Sequence, residues 1–157
     1  MTLVAGIDYS THHVDVVFID VDGADGPRWE RRTLHGQDAF DRTRSVRTHM
    51  PARGSWTDAG VLAVGIEHPA GHHGVGALLR VQGAVLACLP PDMLVKPWPP
   101  SAWRKAVGLA GNATKRQVLE WAEQTTAAYL PEQDAVDAYA IAVATAAALH
   151  HDERKAA

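Results

Sequence analysis

Two short apolar runs constrain this chain more than anything else in it: residues 3–9 (Leu-Val-Ala-Gly-Ile-Asp-Tyr) and 61–67 (Val-Leu-Ala-Val-Gly-Ile-Glu). Each has the length of a buried strand, and each carries an acid at its C-terminal end, Asp8 next to last in the first and Glu67 last in the second. In an open α/β sheet, ligands bind in the crevice beyond the carboxyl ends of the strands. If the two runs lie side by side and parallel, both carboxylates enter one crevice.

The rest of the chain supplies the sheet and its covering helices. Residues 14–21 are β-branched and strand-forming, and Ser10-Thr11-His12-His13 is a link of hairpin length. Asp22 to Pro27 carries turn chemistry, and residues 28–34 make a third strand. Residues 37–50 read as a helix anchored by Phe40, Val46 and Met50, and residues 51–60 as a loop. A Gly/His-rich loop, 69–74, leads into an apolar helix over 74–88. Residues 93–97 form a fifth strand that Trp98-Pro99-Pro100 breaks, and a short helix follows over 101–107. Beyond the turn Gly108–Gly111, Asn112 caps a helix over 113–128, and Pro131 opens a last one over 132–149. The expectation is an α/β fold with a mixed five-stranded sheet flanked by helices. It forms a single domain over 1–150, followed by a short polar tail, 151–157.

Composition narrows the classes of function. At 157 residues the chain buries roughly 70% of its unfolded surface, and its 46% apolar and 21% charged residues are those of a globular protein. No apolar run is long enough to span a membrane. The first eight residues carry no basic cluster and reach an acid at Asp8, so no secretory signal is expected. One cysteine, Cys88, excludes a disulfide framework and a Cys-based zinc site, and the cytoplasm is the expected compartment. The net charge of −3 does not advertise nucleic acid, but its distribution does. Residues 28–53 hold seven Arg against three acids, and residues 93–118 hold five Lys/Arg and no acid.

Asp134 and Asp137 stand i, i+3 at the start of the last helix, on one face and where the helix dipole favours negative charge. Taken singly, an acid at a strand end is often a turn residue, and an acid at a helix start is often solvated. Together, four carboxylates converging on one crevice repel one another unless a cation joins them. Hard oxygen ligands select Mg²⁺, with Mn²⁺ as a substitute. Two such ions would activate water and stabilise the leaving oxygen of a phosphodiester.

The segments Gly6-Ile7-Asp8, Gly65-Ile66-Glu67, Val107 to Val118 and Asp134-Ala135-Val136-Asp137-Ala138 occur in an order that resembles the RuvC family of Holliday-junction resolvases. The resemblance covers about residues 3 to 145. It implies an RNase H-like fold, a homodimer and two metal ions per active site. It also implies paired nicks across a four-way DNA junction, leaving 5′-phosphates. By motif, Asp8, Glu67, Asp134 and Asp137 would be the metal ligands. The loop after Glu67, His68 to His73, lacks the aromatic wedge of bacterial members, and the spacing of cations over 96–105 differs from theirs. Both departures resemble phage-type relatives.

Candidate DNA contacts follow the cations. Lys115 and Arg116 sit in the first turn of the helix after Asn112, beside free backbone amides that suit a phosphate, and Lys115 is placed to stabilise a transition state. The competing reading is a solvated pair. Lys96, Trp98, Trp103, Arg104 and Lys105 mix cations with indoles, as base stacking would use, although packing of the turn explains the indoles equally well. His72 and His73 lie close after Glu67 and could serve the site; His12 and His13, in the first hairpin, are weaker candidates for the same role, and exposure is the competing reading. The helix over 74–88 is apolar on more than one side, which fits a dimer interface as well as a central core helix. Two rivals share the pattern: a DEDD-type transposase catalytic domain, which carries a further domain, and a noncatalytic branched-DNA-binding protein, which would have lost acids. An actin-like ATPase needs a duplicated fold of far greater length.

Overall fold

A computed structural model describes residues 2–23, 25–70 and 75–156. Five strands, β1 (Leu3–Tyr9), β2 (His13–Asp20), β3 (Arg28–Thr33), β4 (Val61–Glu67) and β5 (Leu94–Trp98), form one sheet in the order β3-β2-β1-β4-β5. The hairpins β1–β2 and β2–β3 are antiparallel, while β4 and β5 join parallel to β1 and to each other. Among the described residues six helices accompany the sheet: α1 (Ala39–His49), α2 (Arg53–Asp58), α3 (Val75–Leu86), α4 (Pro100–Ala106), α5 (Lys115–Thr125) and α6 (Gln133–Ala156). This is the expected mixed sheet flanked by helices.

Strand alternation divides the core in two. Ala5, Ile7, Tyr9, Val14, Val16 and Phe18 face α1–α3. Val17 and Trp98 face α4–α6 with Ile141 and Ala144. Gly6 and Gly65 are register partners on adjacent strands and let α6 approach the sheet closely. A Cβ on Gly6 would stand 2.0 Å from the Ala138 carbonyl oxygen, and one on Gly65 would stand 2.0 Å from Thr145 Oγ1. No side chain fits there, and the alanines of α6 complete the close contact from the other side. Because Ala138 lies over Gly6, the first turns of α6 lie over the strand end that carries Asp8.

Several boundaries differ from the sequence expectation. Residues 51–60 are not simply a loop, because α2 forms within them and buries Trp56 beside Phe18, with ring centroids 5.8 Å apart. Phe40 does not anchor α1; it is exposed, and Val46 and Met50 do the packing. Thr114, not Asn112, caps α5. The Thr114 hydroxyl accepts from the Gln117 amide at 3.3 Å, and the Gln117 side chain accepts from the Thr114 amide at 2.8 Å. The last helix continues past 149 to Ala156, through residues expected to form a tail. β5 extends through Trp98, so the break falls at Pro99.

Candidate active site

Asp8 is the penultimate residue of β1 and Glu67 the last of the adjacent parallel strand β4, and Asp134 and Asp137 lie in the opening turns of α6. Every pairing among the four shows electrostatic repulsion. Burial and then the charges of Glu67, Asp137 and Asp134 hold the Asp8 carboxyl well above the usual carboxylate range. Burial also raises Glu67 and Asp137, each pushed further by neighbouring acids, although hydrogen bonds and nearby cations partly offset this. Asp8 and Asp137 are each only 8% exposed. Desolvated carboxylates that repel one another are a donor set suited to hard divalent cations, whose charge would reverse the penalty.

The strand end that holds Glu67 is fixed from three directions. Its main-chain carbonyl accepts from the Tyr9 hydroxyl and from Gln82 Nε2, both at 2.9 Å. Burial, then the charges of Glu67 and Asp8, push the Tyr9 phenol upward and keep it a donor. Glu67 Oε2 accepts from the Trp103 indole at 3.0 Å. On α6, Gln133 Nε2 donates to Asp137 Oδ1 at 3.0 Å. The Trp103 and Gln133 bonds each orient a carboxylate and leave lone pairs for a ligand, while the Tyr9 and Gln82 bonds hold the backbone beneath Glu67.

Of the two readings of the indoles, packing holds and base stacking does not. Trp98 and Trp103 do not offer faces for base stacking, being 8% and 0% exposed. Trp98 instead donates to Thr145 Oγ1 at 2.9 Å and so ties β5 to α6, while Trp103 holds Glu67. The cations around them sort by position. Arg104 lies over the Trp103 ring at 4.7 Å, and its charge lowers both Glu67 and Asp137. Lys115 is exposed at the start of α5, and its charge lowers Asp137. Lys96 stands over the Trp98 ring at 4.7 Å. Lys105 is exposed, and Arg116 pairs with Glu120 one turn on at 3.5 Å, far from burial. His72 and His73 lie outside the described residues.

A neighbouring cluster was not anticipated. The antiparallel register sets Asp15 opposite Asp8, so β2 presents His13 and Asp15 on the same side of the sheet. Asp15 is fully buried and accepts from Arg31 at 3.0 and 3.1 Å and from the Trp29 indole at 2.8 Å. The hydrogen bonding of Arg31 to Asp15, more than the surrounding charge, raises its guanidinium further. His13 Nε2 stands 2.6 Å from Asp134 Oδ2. Among the described residues, ligand atoms of His13, Asp15 and Asp134 all lie within 4.8 Å of one another, a spacing that a cation can bridge. The strand alternation of 13, 15 and 17 was visible in the sequence, but the pairing partner 121 residues away was not.

No protein-family model matches the chain, and no curated protein sequence does. Solved structures do. The structure of Thermus thermophilus RuvC matches with a TM-score of 0.69 at 21% identity, over 96% of this chain and 97% of that one. T. thermophilus RuvC in complex with Holliday junction substrate matches with a TM-score of 0.71 at 19% identity, over 96% of each chain. Fowlpox virus resolvase, crystallised with Holliday junction DNA, matches with a TM-score of 0.55 at 11% identity, over 94% of this chain and 99% of that one. The chain therefore has the RuvC-type, RNase H-like fold over nearly its whole length.

Proposed function

We propose that this protein is a metal-dependent, structure-selective DNA endonuclease that resolves four-way junctions by paired nicks leaving 5′-phosphates. The observation that carries the reading is the convergence of Asp8, Glu67, Asp134 and Asp137 at one end of the β1–β4 pair, on a fold shared with RuvC. These four residues would hold two Mg²⁺ ions, or Mn²⁺ in their place, which when bound activate water and stabilise the departing oxygen. The protein's own groups position the carboxylates: Trp103 orients Glu67, and Gln133 orients Asp137. Arg104 and Lys115 place positive charge beside the same acids, where a scissile phosphate would sit. Lys96, Lys105 and Arg116 extend that charge along a path for the DNA backbone.

Two equivalent cuts call for two equivalent sites, which a two-fold homodimer supplies. On α3, Leu79 and Leu86 are 42% and 38% exposed, and Gly76 and Gly83 stand at helical spacing beside them. That stripe is the proposed contact between copies. Residues 1–150 act as one nuclease domain. Among the described residues no helix is long and apolar enough to cross a membrane, and the cytoplasm is the proposed site of action.

The test is cleavage of a labelled four-way junction, a flap and a linear duplex, with Mg²⁺ and Mn²⁺ compared. The proposal expects symmetric cuts in the junction and little cutting of the duplex. Tight junction binding with no cleavage under either metal would make the protein a noncatalytic junction binder. Cutting without regard to branching would refute junction selectivity.

A further inference from the structure

Resting on that reading of Asp134 as a metal ligand, we infer that His13 is a positioning residue that fixes the Asp134 carboxylate from the sheet face on which α6 packs. The hydrogen bonds set which ring nitrogen does this. Ser10 Oγ accepts from the backbone amides of His12 and His13 at 3.1 and 3.2 Å, which uses both of its lone pairs. Its own hydrogen is then directed to His13 Nδ1, 3.2 Å away. Nδ1 is therefore the acceptor, and Nε2 carries the proton that meets Asp134 Oδ2 at 2.6 Å. A histidine whose far nitrogen is fixed by a hydroxyl is oriented as well as protonated at the right atom.

The nearby alternative is that His13, Asp15 and Asp134 themselves form a cation site. Their spacing allows it, but the chemistry of Asp15 opposes it. Both Asp15 oxygens are held by the Arg31 fork, and one also accepts from Trp29. Its charge is already neutralised and its lone pairs are largely committed. Asp15 thus serves as the buried anchor of Arg31. Arg31 in turn reaches toward the opening of α6, 3.7 Å from Glu132 and 3.9 Å from Asp134. The β2–β3 hairpin grips the first turn of α6 through Arg31 and His13. Asp134 is partly exposed, and without this grip its side chain would sample other rotamers. With it, Oδ2 is tied to His13 and the carboxylate is held in one orientation.

The test is Mn²⁺ binding by calorimetry on the full chain, comparing wild type with His13→Ala, His13→Gln, Asp134→Asn and the double variant His13→Ala/Asp134→Asn. Partners of a metal ligand commonly change metal affinity about 10–100-fold. His13→Ala should weaken Mn²⁺ binding at least about tenfold. His13→Gln, whose amide nitrogen reaches a similar place and donates, should restore most of it. The loss from His13→Ala should largely vanish in the Asp134→Asn background, as for two residues acting through one contact. Wild-type affinity in His13→Ala, failure of the glutamine to rescue, or additive losses would overturn the assignment. Four-way junction cleavage is measured in parallel. The expected Mn²⁺ pattern without cleavage would defeat the nuclease reading alone, and normal cleavage with an unaffected His13→Ala would defeat this assignment alone. A wild type that binds no Mn²⁺ would defeat both.

Discussion

Asp8 carries the account at the scale of single residues. Burial first, and the neighbouring acids second, raise its folded pKa, and Glu67 and Asp137 move the same way. A carboxyl raised in the folded state binds its proton more tightly there than in the unfolded chain. The stability it contributes is full below the ordinary carboxylate value and is lost as pH climbs through the raised one. Metal-free protein should therefore melt higher as pH falls from neutral toward the ordinary carboxylate range, and melting curves in chelator across that interval check it. Asp8→Asn should raise the melting temperature in chelator at neutral pH. Each 1 kcal/mol of relieved repulsion corresponds to about 2–4 °C in a chain of this size. In the presence of metal, Asp8→Asn, Glu67→Gln, Asp134→Asn and Asp137→Asn should each abolish cutting while junction binding persists, as gel shifts and single-turnover assays will show. Lys115→Ala should slow single-turnover cleavage about tenfold or more, with affinity little changed. If Lys115 only grips a phosphate, affinity falls instead and the salt slope drops by about one.

Among the elements, the close seating of α6 on β1 and β4 is the step that turns sequence into site. Gly6→Ala would drive a methyl into the α6 backbone, because the new Cβ would meet Ala138 and Ala142 backbone atoms at 2.0 and 2.4 Å. The expected loss is about 3 kcal/mol in urea unfolding, with weakened metal binding in whatever folds. An alanine variant of unchanged stability would contradict the close seating. The sequence makes this layer readable because strand and helix periods, the two terminal acids and the Asp-x-x-Asp spacing are all local signals. α2 was not readable: it is six residues long, its start has no side-chain cap, and it exists because Trp56 finds Phe18 across the core. The true cap of α5 was locally encoded in Thr114 and Gln117, but Asn112 two residues earlier offered a competing start. The indoles of Trp98 and Trp103 sit among cations in the sequence, yet the fold turns them inward onto Thr145 and Glu67. The grip of His13 on Asp134 joins residues from opposite ends of the chain, and no local pattern reports it.

Taken whole, the molecule places its acids at one end of a covered sheet and leaves an apolar stripe on α3 exposed. Leu79→Glu should give a folded monomer by sedimentation that nicks a cruciform plasmid but accumulates nicked rather than linear product. A dimer that persists through this change would move the proposed contact elsewhere. The central claim is that the four carboxylates form a metal centre, and anomalous diffraction from crystals grown with Mn²⁺ tests it most directly. The account predicts two peaks about 4 Å apart, bounded by Asp8, Glu67, Asp134 and Asp137. A single peak among His13, Asp15 and Asp134 with none beside Asp8, or no peak at the strand ends at all, would contradict it.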